Sequence, residues 1–105
     1  MSPPSEGYAA IVTSLSPAQV WEAMARGEAR LLDLRTGIER RRYGAPPGAQ
    51  PASLAAHAAR PEGPPAVYMC QHAIRSKLTA RNGAPEVAGG FAAWRRAGLP
   101  IEQVR

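Results

Sequence analysis

Two short apolar runs constrain this chain more than any other feature. They are "LLDL" at residues 31–34 and "AVYM" at residues 66–69. Each is too short to be a well-buried helix, and we therefore predict a buried strand at each position. Helix patterns alternate with these strands, which favours the α/β fold class: a small domain with a short, mainly parallel sheet flanked by helices.

Local chemistry predicts where the main helices begin and end. Residues 16–29 and 36–42 each open with a capping box, a Ser or Thr followed three residues later by Gln or Glu. Residues 89–100, "GGFAAWRRAGLP", predict a third helix that ends at Gly98. The remaining expectations are a strand centred on residues 11–13, short helices at 54–60 and 76–81, and no regular element at 43–53.

Length and composition limit the classes of protein to consider. The 105 residues suffice for one domain, and 13 Lys and Arg against 8 Asp and Glu give a net charge of +5, which favours anionic partners in general. The chain has no apolar run of about 18 residues, so we expect no membrane partner. One cysteine and a start without a basic, apolar leader pattern predict a cytoplasmic protein.

The single cysteine stands where an α/β fold places ligands. Cys70 ends the second predicted strand, and Arg75 follows five residues later, with Ser76 able to cap the next helix. Backbone N–H groups of so short a loop can converge on an anion, and with Arg75 they would favour a thiolate. From these residues alone a second interpretation stays open, because a lone cysteine at a strand end is more often a small buried apolar residue.

Four separated segments resemble one family, the single-domain rhodanese-like sulfurtransferases, in the family's own order. They are "LLDLRTGIE" (31–39), "GAPPGA" (44–49), "VYMCQHAIRS" (67–76) and "VAGGFAAWRRAGLPI" (87–101). The resemblance covers most of residues 13–101. It implies a rhodanese-like domain at 8–105 after a loose tail at 1–7.

The resemblance also implies a reaction. A sulfane sulfur would pass from thiosulfate or a persulfide donor, through a Cys70 persulfide, to a thiol or protein acceptor, without a metal or organic cofactor. Asp33, Arg35 and Ser76 would support the loop structurally. The residues implied in substrate binding are Gln71, His72, Ala73, Ile74 and Arg75.

Loop length and two departures from the family pattern leave alternatives to weigh. Related phosphatases use a cysteine loop one residue longer than the spacing from Cys70 to Arg75, which favours sulfur over phosphate. Ala73 stands where the family usually has glycine, and residues 77–88 are too few for the family's helix and strand, so we expect low activity and a sheet that lacks an edge strand. The alternative is a non-catalytic rhodanese-homology module that binds a partner or senses sulfur or redox state.

Other polar residues indicate no further site. His57 and His72 with one cysteine do not make a zinc site, and both histidines are interpreted as exposed. The run at residues 40–42, "RRR", is interpreted as a solvated helix face. It lacks interleaved aromatic residues, so a nucleic-acid partner is not expected.

Overall fold

The computed structural model describes residues 14–53, 64–72 and 85–105. These residues form one parallel sheet with the strand order β1-β5-β4-β2-β3, together with three helices. The elements are β1 (Ser14–Leu15), α1 (Pro17–Ala25), β2 (Arg30–Asp33), α2 (Gly37–Tyr43), β3 (Gln50–Pro51), β4 (Ala66–Met69), β5 (Glu86–Val87) and α3 (Gly90–Arg96). The predicted α/β fold class is confirmed.

Both capping boxes form as their sequences predict. At α1, Gln19 N donates to Ser16 Oγ at 3.1 Å, and Ser16 N donates to Gln19 Oε1 at 2.9 Å. At α2, Thr36 and Glu39 exchange the same pair of bonds at 3.1 and 2.8 Å. Each box satisfies N–H groups that the first helical turn leaves without a partner, so these helix starts depend on local sequence alone.

The two apolar runs form the centre of the sheet. β2 and β4 pair in parallel over four residues, with Leu31 opposite Val67 and Asp33 opposite Met69. Strands buried on both faces are characteristically short apolar runs, and both strands were predicted on that basis. Because β2 and β4 end at the same edge, the residues that follow them, Leu34–Arg35 and Cys70–Gln71, lie close together.

Two short strands depart from the sequence-based expectations. β3 lies in the segment predicted to have no element, where it pairs with Leu32 and Asp33 of β2. β5 lies between residues 77 and 88, pairs with both β1 and β4, and corrects the expectation that the sheet lacks a strand there. Each strand has two residues, which is too short to show an alternation of apolar and polar residues. Each is recognised as a strand only because its backbone pairs with a neighbouring strand. The predicted elements at residues 11–13, 54–60 and 76–81 lie outside the described residues.

The larger core lies between one face of the sheet and helices α1 and α3. It comprises the buried residues Val20, Leu31, Val67, Met69, Val87, Phe91 and Trp94. Trp21 of α1 packs edge-to-face against Trp94 of α3, with ring centroids 5.8 Å apart. A smaller cluster of Leu32, Leu34 and Tyr68 covers the opposite face. Among the described helices, none is both long and apolar enough to cross a membrane.

We expect Gly44→Ala to destabilise the fold by more than the usual cost of a positive φ. Gly44 ends α2 with φ 81° and ψ −174°, a conformation almost confined to glycine that costs other residues about 1–3 kcal/mol. A methyl group there would also lie 2.7 Å from Glu102 O and from Ile101 Cγ2. The overpacking adds a further penalty of roughly 1–3 kcal/mol.

Urea unfolding of Gly44→Ala and of the control Gly27→Ala measures this difference. Gly27 has φ 71°, but a methyl group there would have no neighbour within 4 Å. The control should therefore show conformational strain of roughly 1 kcal/mol without the clash. Equal losses for the two variants would contradict the proposed close approach at Gly44.

Candidate active site

Cys70 lies at the carboxyl end of the central strand β4, and the start of α3 holds its backbone. Phe91 N donates to Cys70 O at 2.8 Å, and Ala92 N donates to Gln71 O at 3.0 Å. N–H groups in a first helical turn have no partner within the helix, so these carbonyls satisfy two of them. The first turn of α3 thereby holds the backbone at the start of the cysteine loop through Phe91 N and Ala92 N.

A fully buried ion pair lies beneath this loop. Asp33 ends β2, and its Oδ1 and Oδ2 accept bonds from Arg35 Nε and Nη2 at 2.9 and 2.8 Å. Both side chains have no exposed surface. Arg35 N also donates to Asp33 Oδ1 at 3.0 Å, so the carboxylate fixes the backbone turn as well as the guanidinium. Such a bidentate pair has a defined orientation as well as compensating charge.

The same guanidinium connects three parts of the chain. Its Nη2 donates to Gly44 O at 2.7 Å, and its Nη1 donates to Gln71 Oε1 at 3.3 Å. Its central carbon lies 4.0 Å from the centroid of the Phe91 ring, in a cation–π contact. Arg35 therefore joins the end of α2, the residue after Cys70 and the start of α3. Asp33 and Arg35 thus lie next to the start of the cysteine loop, and their supporting role stays a prediction.

The three arginines at residues 40–42 differ in exposure, whereas the sequence predicted one solvated face. Arg41 and Arg42 are exposed, as predicted for a solvated face. Arg40 corrects that expectation: its side chain is 16% exposed, and its Nε lies 3.3 Å from Asp33 Oδ2. Asp33 thus pairs with two guanidiniums. Together Asp33, Arg35 and Arg40 carry a net charge of +1. This local charge favours an anionic ligand near Cys70.

The structure places only part of the predicted binding loop. Cys70 is 1% exposed, Gln71 is half-buried and His72 is exposed, as predicted for His72. Ala73, Ile74, Arg75 and Ser76, along with His57, lie outside the described residues.

Glu86 is a buried acid that the sequence reasoning missed. This side chain on β5 is 2% exposed and accepts a 3.4 Å bond from Ser14 Oγ. No sequence signal could have identified it, because burial of Glu86 depends on a strand that local patterns do not reveal.

Comparison with known proteins assigns the chain to a family. It is 33% identical to the thiosulfate sulfurtransferase GlpE of Actinobacillus pleuropneumoniae over 101 residues, which cover 86% of this chain and 93% of that protein. A structure from Rhodopseudomonas palustris, called a protein of unknown function and possible tyrosine phosphatase, superposes with TM-score 0.74 at 27% identity, covering 93% of this chain and 89% of that one. A rhodanese-related protein from Thermoplasma volcanium has the same fold, with TM-score 0.70 at 19% identity and coverage of 87% and 98%. No family model matches. The GlpE relationship, over nearly the whole of both chains, is sufficient: this chain belongs to the single-domain rhodanese-like sulfurtransferase family.

Proposed function

We propose that this protein transfers a sulfane sulfur from thiosulfate or a persulfide donor to a thiol acceptor, with Cys70 as the nucleophile. The main support is the position of the chain's only cysteine. It follows the central strand of a parallel sheet, close to Asp33, Arg35 and Arg40, whose charges sum to +1, and its carbonyl accepts a bond from Phe91 N at the start of α3. The related protein named thiosulfate sulfurtransferase supports the same assignment.

The proposed reaction has two displacement steps at sulfur. The Cys70 thiolate attacks the outer sulfur of thiosulfate, a new S–S bond forms, and sulfite leaves with the electron pair of the broken S–S bond. An acceptor thiolate then attacks the outer sulfur of the Cys70 persulfide. The acceptor becomes the persulfide and the Cys70 thiolate is regenerated, so no external oxidant or reductant is consumed.

The surrounding residues have separate proposed tasks. Backbone N–H groups of residues 71–75 bind the donor's oxyanion and the outer sulfur, and Arg75 and Ser76 support the loop. Arg35 acts at a distance from the sulfur: it fixes the Gln71 side chain and, through Phe91, the helix start that holds the Cys70 carbonyl. Asp33 keeps that guanidinium in place.

Mass spectrometry of the intact protein after thiosulfate treatment tests this function directly. We expect a gain of about 32 Da, one sulfur atom, that maps to the Cys70 peptide and disappears on adding cyanide. Because the chain has one cysteine, the adduct has a single candidate site. A protein that stays at its original mass across a range of thiosulfate concentrations would refute the proposal.

A non-catalytic binding or sensing module is the second candidate, and the burial of Cys70 favours it. A thiol that is 1% exposed is shielded from donors unless the loop admits them. The two candidates differ in turnover: a sensor would form the adduct and keep it in the presence of cyanide, whereas a transferase would release thiocyanate repeatedly.

Phosphatase activity should be measured as a control, because one structural relative, from Rhodopseudomonas palustris, suggests it. That protein is described as a possible tyrosine phosphatase. The spacing of Cys70 and Arg75, four intervening residues, favours sulfur chemistry. We therefore expect no hydrolysis of para-nitrophenyl phosphate above the rate of the Cys70→Ser protein.

A further inference from the structure

The side chain of Gln71 has one end fixed and the other end unused. Its Oε1 accepts a 3.3 Å hydrogen bond from Nη1 of the fully buried Arg35 side chain. Its Nε2 has no hydrogen-bond partner in the part of the chain that the structure describes. Among the described side chains, no buried nitrogen or oxygen lacks a partner, so Nε2 is in contact with solvent. Gln71 therefore presents an N–H donor at the surface.

Arg35 determines which end of the Gln71 amide faces outward. A guanidinium has donors and no acceptor, so the carbonyl oxygen is the end of the amide that can bond to it. The reversed amide would set its own N–H groups against those of the cation, which is repulsive. Because Arg35 is itself held by bonds to Asp33 and to Gly44 O, this anchor has a defined position. The outward direction of Nε2 thus follows from the buried ion pair.

The donor lies next to the proposed nucleophile. Gln71 directly follows Cys70, so their Cα atoms are about 3.8 Å apart. The first turn of α3 holds both carbonyls, through Phe91 N at 2.8 Å and Ala92 N at 3.0 Å. Backbone and side chain of Gln71 are therefore both held before any ligand binds, and little side-chain entropy remains to be lost on binding. The amide stands at the start of the loop that would surround the sulfur.

A neutral amide donor beside a sulfur nucleophile suits a donor molecule with oxygens on its leaving sulfur. Thiosulfate and thiosulfonates have such oxygens, whereas alkyl persulfides have none there. When the Cys70 thiolate attacks the outer sulfur of thiosulfate, the S–S electron pair leaves with sulfite and negative charge grows on its oxygens. A hydrogen bond to one of these oxygens becomes stronger in the transition state, which is the condition for accelerating the step.

We propose that the Gln71 side-chain amide binds an oxygen of the donor's sulfonate group and thereby selects thiosulfate-type donors over alkyl persulfides. This selection rests on the proposed function, because it concerns the step that loads sulfur onto Cys70. Arg35 is a positioning residue for it, since it turns the amide outward. Sulfite has left before the acceptor arrives, so Gln71 Nε2 affects the loading step and not the release step.

Steady-state kinetics of Gln71→Met tests the selection, because methionine has a similar length but no N–H. In a reaction with two separate steps, kcat/KM for thiosulfate reports sulfur loading and kcat/KM for cyanide reports sulfur release. We expect kcat/KM for thiosulfate to fall by about tenfold and that for cyanide to change by less than about twofold. Loading from 2-hydroxyethyl persulfide should also change by less than about twofold. A loosened loop would instead slow all three.

Gln71→Glu separates the donor from the bond to Arg35. Glutamate keeps an acceptor for Arg35, so the thermal midpoint should not fall, but it loses the N–H and adds a negative charge. We expect a larger loss of kcat/KM for thiosulfate than with methionine. The control Gln103→Glu adds the same charge at an exposed residue of the carboxyl-terminal segment, and should stay within about twofold of the unmodified protein.

The outcomes separate this selection from sulfur transfer itself. Equal losses with thiosulfate and 2-hydroxyethyl persulfide, or an unchanged kcat/KM for thiosulfate in both Gln71 variants, would overturn the role of the amide and leave sulfur transfer in place. Calorimetric titration of Cys70→Ser with thiosulfate covers the opposite case. If the unmodified protein showed no turnover, but Gln71→Met weakened thiosulfate binding to Cys70→Ser severalfold, the oxyanion contact would be supported and the sulfurtransferase assignment refuted.

Discussion

Replacing Cys70 with serine is expected to reduce thiosulfate:cyanide sulfur transfer by at least about 10³-fold, the scale seen when a nucleophile is removed. A serine hydroxyl cannot form the persulfide on which the proposed reaction depends. Serine differs from cysteine by one atom, so the buried position at the end of β4 should tolerate it with little change in packing. Thiocyanate formation at saturating thiosulfate and cyanide measures the effect.

The controls for this prediction separate chemistry from folding. Ala97→Ser introduces the same residue at an exposed position after α3, and should retain full activity. Circular dichroism and the thermal midpoint of Cys70→Ser should stay close to those of the unmodified protein. If Cys70→Ser retained more than a tenth of the original rate, the sulfur would have to pass through a group other than Cys70, and the proposed mechanism would be wrong.

Replacing Asp33 with alanine is expected to destabilise the fold strongly. The carboxylate accepts bonds from the Arg35 side chain and backbone and from Arg40. Its removal leaves the fully buried Arg35 guanidinium without its counter-charge, which costs about 3–5 kcal/mol. In a domain of this size the thermal midpoint should fall by roughly 15–25 °C.

An exposed ion pair of the same length provides a matched control. Arg26 Nε lies 2.8 Å from Glu28 Oε1, the same distance as Arg35 Nη2 to Asp33 Oδ2, but its side chains are 59% and 60% exposed. Water already solvates both charges there, so Glu28→Ala should leave the thermal midpoint unchanged within error. If the two variants lost equal stability, burial would not account for the importance of Asp33.

A third variant distinguishes the pair from the isolated charge. Asp33→Leu/Arg35→Met removes both fully buried charges, and should be more stable than Asp33→Ala because only the partly exposed Arg40 then loses a counter-charge. It should still have reduced sulfur transfer, since Gly44 O and Gln71 Oε1 lose the donor that connects them. Stability and activity would then respond differently to the same two side chains. This difference would assign Arg35 a positioning role beyond its contribution to folding.

Short-range patterns predicted the elements whose formation depends on their own residues. The helix starts at Ser16 and Thr36 are set by hydrogen bonds between residues three apart, and a reader of the sequence can see both partners. The central strands β2 and β4 bury apolar side chains on both faces of the sheet, Leu31 and Val67 on one and Leu32 and Tyr68 on the other, and short apolar runs reveal them. The order of these elements, together with the family resemblance, was sufficient to place Cys70 at the carboxyl end of a strand in a parallel sheet.

Long-range contacts decided what those patterns could not. β3 and β5 are two-residue strands that exist because β2, β1 and β4 offer hydrogen-bond partners, and a two-residue segment carries no period to detect. Glu86 accepts its bond from Ser14, 72 residues away, and Arg40 of α2 pairs with Asp33 of β2, outside its own helix.

The connections of Arg35 show the same division most clearly. Its ion-pair partner Asp33 is two residues away in the sequence, so a contact between the two could be anticipated. Its bonds to Gly44 and Gln71 join residues that are 9 and 36 positions apart. Nearby residues or apolar runs specify the helix starts, the central strands and the position of the single cysteine, so each of them is visible in the sequence. The bonds that join Gln71 to the end of α2 through one guanidinium follow from the packed fold, because three distant segments must meet around one buried charge.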